Sequence, residues 1–284
     1  MKIELPFKKR WLKGASAAVV LLGLVAGCGG GDAGNGAAAA GGDQCENYPE
    51  KPIEMIVPYA PGGGTDSIGR LIASIWPEYI DGGVRVSTQP GAGGAQGTQT
   101  VAQAEADGYT LSFGTMGSIL TAGVLVDTGY TYEDFAPVGI VTEPSFVFVV
   151  GPDSPFKTLD ELVAFSKENP GKVSYGSSGA GGSAHTMAAA AAKVLGVEWA
   201  HVPFDGSSEA VVAAAGGNVD FAVPSTGSTL EQIDSGLVNA LAVTAAERVE
   251  GLDAPTFGEL GHDFTFVIWR GVFAPAGTPD CRHP

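Results

Sequence analysis

Short apolar runs alternate with amphipathic stretches along most of the chain, from residue 53 to residue 273. An apolar run bounded by glycine or proline is typical of a strand, whereas apolar residues spaced three or four apart predict a helix. The helices predicted in this way lie at 67–76, 95–104, 159–167 and 184–195. The predicted strands lie at 53–58, 84–89, 109–115, 138–150, 173–176, 199–203, 219–223, 240–244 and 264–273. Because strands and helices alternate, we predict an α/β fold in which helices cover parallel sheets.

The same order of elements occurs once in each half of this region: a strand, a glycine-rich loop and a helix. It is found at 53–76 and again at 173–195, without a repeat of fixed period. A chain of 284 residues is long enough for two modest domains. The duplication therefore predicts two α/β domains that face each other.

Three glycine-rich loops, at 61–66, 90–94 and 177–183, each lie between a strand and a helix. Glycine lets the backbone turn sharply and approach a ligand closely. A helix that begins at such a loop directs unpaired N–H groups and its positive dipole end at the loop, which suits a carboxylate or a phosphate. In open α/β sheets, ligands lie at this end of the strands. The loops predict an anion-binding site, unless each glycine only makes a tight turn.

Motifs of other protein classes are matched only in part. Residues 179–184 fit the dinucleotide fingerprint G-x-G-x-x-A, with Asp205 about twenty residues further on, but this loop lies in the middle of the chain. No loop ends in the Lys-Ser/Thr pair of a P-loop. Ser178 and His185 form a nominal nucleophile–base pair, but no carboxylate is placed to orient the imidazole. A serine in such a loop more often caps a helix or donates to a ligand.

Composition and charge limit the partners. Hydrophobic residues make up 44% of the chain and charged residues 16%, which allows a sizeable core, and the net charge is −16. An acidic surface of this size argues against nucleic acid and against an anionic membrane surface. The four histidines, at 185, 201, 262 and 283, form no Cys/His cluster with metal-ligand spacing. We therefore expect no metal and no cofactor.

The N-terminal residues have the pattern of an export signal. A basic start is followed by an apolar run at 14–27, which is shorter than the ~20 residues of a spanning helix. This favours a signal peptide at 1–27 over a short anchor helix. The run ends in Val25-Ala26-Gly27-Cys28, which resembles the bacterial lipobox and makes Cys28 the predicted lipidation site. Residues 28–46, mostly Gly and Ala, predict a flexible tether.

We therefore expect an extracytoplasmic protein that is lipid-anchored to the membrane, in the periplasm or at the cell surface. The other two cysteines, Cys45 and Cys281, lie near opposite ends of the body. In an exported protein they form either a disulfide or two free thiols, and both interpretations stay open.

Several side chains near the loops have two interpretations each. Asp66 either compensates a helix dipole as a cap or contacts the ligand, and His185 either hydrogen-bonds a ligand or packs. His201 lies in an apolar strand run, which favours a core position. Arg270 either pairs with an anion or forms an ordinary salt bridge, and the acidic composition favours the salt bridge.

Blocks of sequence along nearly the whole body are similar to one family. The first is Lys51-Pro52-Ile53, followed by Ile56-Val57-Pro58-Tyr59-Ala60-Pro61-Gly62-Gly63-Gly64-Thr65-Asp66. Further blocks follow in order at 90–94, 107–111, 134–138, 157–162, 169–172, 175–179, 201–204, 241–244 and 274–279. The chain thus resembles the Bug receptors, the substrate-binding receptors of tripartite tricarboxylate transporters.

The resemblance implies a periplasmic-binding-protein fold of type II, in which two α/β lobes close on a ligand in the cleft between them. The lobes would be 47–145 with 265–284, and 146–264. In this family loop amides, hydroxyls and waters hold the carboxylate. Carried over to this chain, the ligand-binding residues are Gly63, Gly64, Thr65, Asp66, Gly93, Gly94, Thr115, Ser178, Gly179, Ser183, His185, Phe204 and Ser225.

The function implied is that of an extracytoplasmic solute receptor without enzymatic activity. It would capture a small organic acid, a di- or tricarboxylate or a related carboxylate, and deliver it as a monomer to the permease of a tripartite tricarboxylate transporter. Two alternatives stay open: an exported serine hydrolase that uses Ser178 and His185, and a ligand sensor for a membrane signalling protein.

Three features depart from the family pattern. Phe204-Asp205-Gly206 stands where an aromatic-Lys-Gly sequence is usual, and Thr88-Gln89 stands where Asn-Arg is usual, so two basic side chains are absent. The sequence ends at Cys281-Arg282-His283-Pro284, where family members continue with further helices. From this ending we expect a first lobe that is incomplete at its C-terminal end.

Overall fold

The structure, a computed structural model, describes residues 47–125 and 127–282. The predicted signal peptide, the Cys28 lipidation site, the whole tether and Cys45 lie outside the described residues. The side chain of Cys281 is not described either, so the pairing of the two cysteines stays open.

Ten strands form within the described residues, and most of them coincide with the apolar runs. The strands are β1 (Ile53–Val57), β2 (Val84–Thr88), β3 (Thr110–Thr115), β4 (Phe135–Thr142), β5 (Val147–Val150), β6 (Val173–Ser177), β7 (Trp199–Pro203), β8 (Phe221–Ala222), β9 (Asn239–Val243) and β10 (Arg270–Pro275). Two predicted strands were too long. The run at 138–150 divides into β4 and β5 around Pro144, and in the run at 264–273 only the part from Arg270 onward is a strand.

Seven α-helices connect these strands. They are α1 (Gly64–Ile75), α2 (Ala95–Ala102), α3 (Ala122–Leu125), α4 (Leu159–Glu168), α5 (Ser183–Leu195), α6 (Ser207–Ala215) and α7 (Leu230–Asp234). Helices α1, α2, α4 and α5 correspond to the four predicted helices, although α1 begins three residues earlier. Helix α6 was missed because its Ala- and Val-rich sequence has apolar residues on all sides, which hides the helical period.

The strands form two five-stranded sheets, with the orders β2-β1-β3-β10-β4 and β7-β6-β8-β5-β9. Strands β1, β2 and β3 are parallel in the first sheet, and β6, β7 and β8 are parallel in the second. The prediction of parallel sheets was wrong for β10, which is antiparallel to β3 and β4, and for β5, which is antiparallel to β8 and β9. Both reversed strands follow a crossing from the other sheet. The chain therefore enters the new sheet at the edge where the parallel strands end, and the entering strand runs in the opposite direction to its neighbours.

The chain passes between the sheets twice, once from β4 to β5 and once from β9 to β10. An antiparallel bridge pairs Ser145 of the first crossing with Val267 of the second. Next to it, the Ile268 amide donates to the Pro144 carbonyl at 3.0 Å. We call these paired crossings, residues 143–146 and 264–269, the hinge.

The largest core cluster lies on one face of the second sheet, between β5, β6, β8 and helices α4 and α5. Phe148 is fully buried at its centre. Its ring lies 5.4 Å from that of Phe221, 5.2 Å from that of Phe257 and 5.8 Å from that of Trp199. The second sheet therefore depends on aromatic packing around one residue.

We expect Phe148→Ala to lower the free energy of unfolding by about 3–5 kcal/mol, because the substitution leaves a cavity among rings that cannot collapse into it. Urea unfolding followed by circular dichroism measures the loss. The matched control is Phe165→Ala on α4, since this ring is 44% exposed and loses less contact area. Equal losses in the two variants would contradict this account of the core.

Candidate ligand-binding site

Six loops, which follow β1, β2 and β3 on one side and β6, β7 and β8 on the other, face each other across the cleft. The loops touch in the structure. The Ala60 amide donates to the Asp205 carbonyl at 3.0 Å, and the Ser208 hydroxyl donates to the Gly62 carbonyl at 2.7 Å. On the other side of the cleft, the Gly117 amide donates to Ser183 Oγ at 2.8 Å. The cleft is therefore closed in this structure.

The helices that begin at the cleft have glycine N-caps. Gly63, Gly94, Gly182 and Gly206 precede α1, α2, α5 and α6, and none of these helices has a side-chain cap. In contrast, α4 is capped by Thr158, whose hydroxyl accepts from the Glu161 amide. An uncapped helix start leaves unpaired N–H groups and the positive end of its dipole available to an anion.

A small cavity, here called the inner cavity, lies where the loops meet. Its volume is about 30 Å³, which leaves room for about two water-sized groups. Helices α1, α5 and α6 all begin at its wall, and the wall contains one arginine and no acidic side chain. The predicted ligand-binding residues that line the inner cavity are Gly63, Gly64, Thr65, Thr115, Ser178, Ser183 and Ser225.

Four other predicted residues, Gly93, Gly94, Gly179 and Phe204, do not line the inner cavity. Gly93 and Gly179 meet across the cleft, where a Cβ atom on Gly179 would lie 2.6 Å from the Gly93 nitrogen. Gly94 lies against Tyr59 and Ser118, and Phe204 packs against a core cluster that contains Ala210 and Ala214. These residues shape the contact between the loops.

Asp66 organises its own loop and does not line the inner cavity. The carboxylate is 3% exposed and accepts from the Gly62 amide at 2.9 Å. It also forms an ion pair with Arg70, one turn further along α1. Asp66 lies in the first turn of α1, and its contacts agree with the interpretation that it compensates the helix dipole.

His185 and His201 form a stacked pair behind the loop at 177–183. Their rings are 4.1 Å apart, and His185 Nδ1 accepts from the Gly181 amide at 3.1 Å. His201 Nε2 lies 2.6 Å from Ser177 Oγ. Burial lowers the pKa of His185, and burial together with the neighbouring His185 lowers the pKa of His201 to about 4. Both rings are therefore neutral near pH 7, as the acceptor role of His185 Nδ1 requires.

Arg270 is the most informative residue that the sequence analysis did not place in the site. It is only 7% exposed and lines the inner cavity, where Nη2 donates to Ser225 Oγ at 2.7 Å. Within residues 47–125 and 127–282 no carboxylate forms an ion pair with it, and Nε has no hydrogen-bond partner. Burial lowers its pKa to about 10. The ordinary salt bridge that the acidic composition favoured is therefore not formed.

Tyr59 and Ser207 also line the inner cavity without having been predicted. The Tyr59 hydroxyl contacts Thr115 Oγ1 at 2.9 Å and donates to the Gly93 carbonyl at 3.2 Å, and burial raises its pKa. Ser207 opens α6 directly after a glycine, a pattern that could have indicated it.

The described part of the chain contains no group of three His, Cys, Asp or Glu side chains arranged to hold a metal ion. It also contains no helix that is both long and apolar enough to cross a membrane.

Known proteins are similar to this chain in both sequence and fold. Residues 68–281 match the model of the tripartite tricarboxylate transporter family receptor. BugT of Bordetella pertussis is 35% identical over 238 residues, which cover 82% of this chain and 73% of BugT. The periplasmic binding protein BugD is 35% identical, with a TM-score of 0.78 over 83% of this chain and 80% of BugD.

A further solved structure contains a ligand. MatC from Rhodopseudomonas palustris, with bound malate, is 29% identical to this chain, with a TM-score of 0.79. The match covers 83% of this chain and 82% of MatC. Two facing sheets, loops that meet at the strand ends and these similarities lead to one conclusion: the chain belongs to the tripartite tricarboxylate transporter receptor family and has the periplasmic-binding-protein fold of its Bug members.

Proposed function

We propose that this protein is an extracytoplasmic receptor that binds a small carboxylate, in particular a di- or tricarboxylate, between its two lobes. The observation that carries the proposal is the inner cavity, where three glycine-capped helices begin and where one arginine and no acidic side chain lie. Such a site stabilises an anion locally even in a chain of net charge −16. The malate bound by MatC, a dicarboxylate, supports the same ligand class.

The receptor would act by binding its ligand more tightly in the closed state than in the open state. We take the lobes to be 47–145 with 265–284, and 146–264. The first supplies the start of α1 and Thr115, and the second supplies Ser183, Ser207 and Ser225. Because a ligand contacts all of these groups only when the cleft is shut, it favours the closed state, which a membrane permease would then recognise.

A serine hydrolase is less well supported than a receptor. Ser178 makes no hydrogen bond to His185 in the described structure, and the contact that His185 does make is with the Gly181 amide. The serine that does contact a histidine is Ser177, which is 1% exposed and cannot reach a substrate. We infer that the protein is not an enzyme.

The N-terminal residues add the cellular context. We propose that residues 1–27 direct export and are removed, and that Cys28 then carries the lipid anchor while residues 28–46 tether a monomeric receptor to the membrane. The apolar run, the Val25-Ala26-Gly27-Cys28 sequence and the Gly/Ala-rich segment support this proposal.

The receptor function is tested by thermal unfolding with a panel of mono-, di- and tricarboxylates. A ligand that binds only the native state stabilises it by about 2.7 kcal/mol at a hundredfold excess over its dissociation constant, so one class of acid should raise Tm. A cooperative transition that no carboxylate shifts would contradict the proposal.

Gly64→Ala should abolish this shift while leaving the ligand-free Tm unchanged or higher. Its Cβ would lie 2.7 Å from Ser228 Cβ and 2.8 Å from Ser225 Oγ across the cleft, so closure is blocked, whereas alanine favours the helix itself. The matched control is Gly139→Ala on β4, where a Cβ atom meets nothing within 4 Å and binding should persist. Normal affinity in Gly64→Ala would disprove this position of the ligand.

Acid should destabilise the protein through the histidine pair. The folded-state pKa of His201, about 4, is below the unfolded value of about 6.5, so its contribution is complete above pH 6.5 and is lost as the pH falls toward 4. We expect Tm to fall over this range, and to fall less in His201→Gln. An unaltered profile in His201→Gln would refute this assignment.

Lipid anchoring is tested by Cys28→Ser in a bacterial host that exports the protein. The variant should move from the detergent phase to the aqueous phase on detergent partitioning, because no other proposed anchor remains. Cys45→Ser serves as the control and should stay in the detergent phase. An unchanged distribution of Cys28→Ser would contradict the anchor.

A further inference from the structure

Arg270 lies between two cavities of the closed protein. Besides the inner cavity, it lines a larger one of about 490 Å³, here called the outer cavity. The walls of the outer cavity come from the start of α1, from the hinge side at 142–144 and from residues 226–232. Gly64 is the other residue common to both walls. A ligand group that contacts Arg270 from the outer cavity would therefore lie next to a ligand group held at the helix starts of the inner cavity.

The outer cavity collects buried polar atoms that have no hydrogen-bond partner. Within the described residues there are eight such side-chain atoms, and three of them belong to residues that line this cavity: Arg270 Nε, Thr142 Oγ1 and Gln232 Oε1. A buried polar atom without a partner is destabilising, and such atoms are therefore uncommon in folded proteins. Their concentration at one cavity indicates a polar ligand there.

The charge at this position indicates an anionic group. A guanidinium that is 7% exposed and unpaired is stabilised most by a carboxylate, which it can contact through two parallel N–H groups. One nitrogen, Nη2, is already bonded to Ser225, and Nε remains available. The acidic residues of the outer cavity, Glu143 and Glu231, are both solvent-exposed, so water and salt screen their repulsion.

We propose that Arg270 binds a second acidic group of the ligand from the outer cavity, while the first is held at the helix starts around the inner cavity. This deepens the proposed receptor function and rests on it: the ligand class becomes the dicarboxylates, in preference to monocarboxylates of equal chain length. The Thr142 hydroxyl would donate a hydrogen bond to the same distal end, and Gln232 would donate through its amide nitrogen once the amide group is turned over.

The test is calorimetric titration of the purified protein with matched acids: succinate, glutarate and adipate against butyrate, valerate and hexanoate. We expect wild-type protein to bind at least one diacid at least about tenfold more tightly than the matched monoacid. Arg270→Gln should lose this preference, with diacid affinity falling at least about tenfold and monoacid affinity changing by less than about threefold. Arg85→Gln, an exposed arginine on β2, is the matched control and should keep the preference.

The Tm of ligand-free Arg270→Gln shows whether this variant folds. Removal of an unpaired buried charge should leave the Tm of ligand-free Arg270→Gln equal to or above that of wild type. Thr142→Val, which removes an unpartnered hydroxyl at nearly constant volume, gives an independent test, and it should weaken diacid binding alone.

The outcomes separate this proposal from the receptor function. If no acid binds wild-type protein, the receptor function itself fails. If wild-type protein binds acids but Arg270→Gln binds diacids normally, or loses diacids and monoacids equally, the second acidic subsite is wrong while the receptor function stands. If Arg270→Gln does not fold, unchanged diacid binding in Thr142→Val overturns the subsite.

Discussion

The close approach of two backbones across the cleft is the constraint on which the site depends. A Cβ atom on Gly64 would lie 2.7 Å from Ser228 Cβ, and one on Gly179 would lie 2.6 Å from the Gly93 nitrogen. Real side chains do not tolerate such distances, so these positions must be glycine for the loops to meet. Glycine at a helix start also leaves the first amides uncapped. The glycines that permit closure, Gly64 and Gly179, thus lie within three residues of the glycine N-caps Gly63 and Gly182, so closure and the uncapped helix starts depend on the same two loops.

The charge of the whole chain and the charge of the site have opposite signs. The net charge is −16, yet the inner cavity is lined by helix starts and by Arg270, with no acidic side chain. Surface charges are screened over about 8–10 Å in physiological salt, whereas a buried guanidinium and fixed backbone dipoles act at contact distance. Capture of an anion therefore depends on short-range contacts within the closed cleft, and the acidic exterior does not prevent it.

Much of the fold could be predicted from local patterns, because apolar runs, glycine loops and helix periods are local properties. These local patterns predict the loops before α1 and α5, and they also predict the residues from Gly63 to Thr65. The direction of β5 and β10 could not be predicted in this way, since it depends on which end of a sheet the chain enters after a crossing. Arg270 was missed for a similar reason. Composition describes the average surface of the chain, whereas the role of one arginine in an apolar strand depends on the groups that surround it in the fold.

The paired crossings of the hinge restrict how the lobes can move. One connecting segment would allow twisting about its own axis, but two segments tied by the Ser145–Val267 bridge and by the Ile268–Pro144 hydrogen bond resist torsion. In the proposed receptor, opening would then be reduced to a rotation about a line through both segments. The six loops would meet in the same alignment at each closure, so little entropy would be lost on closing and more of the ligand's contact energy would appear as affinity.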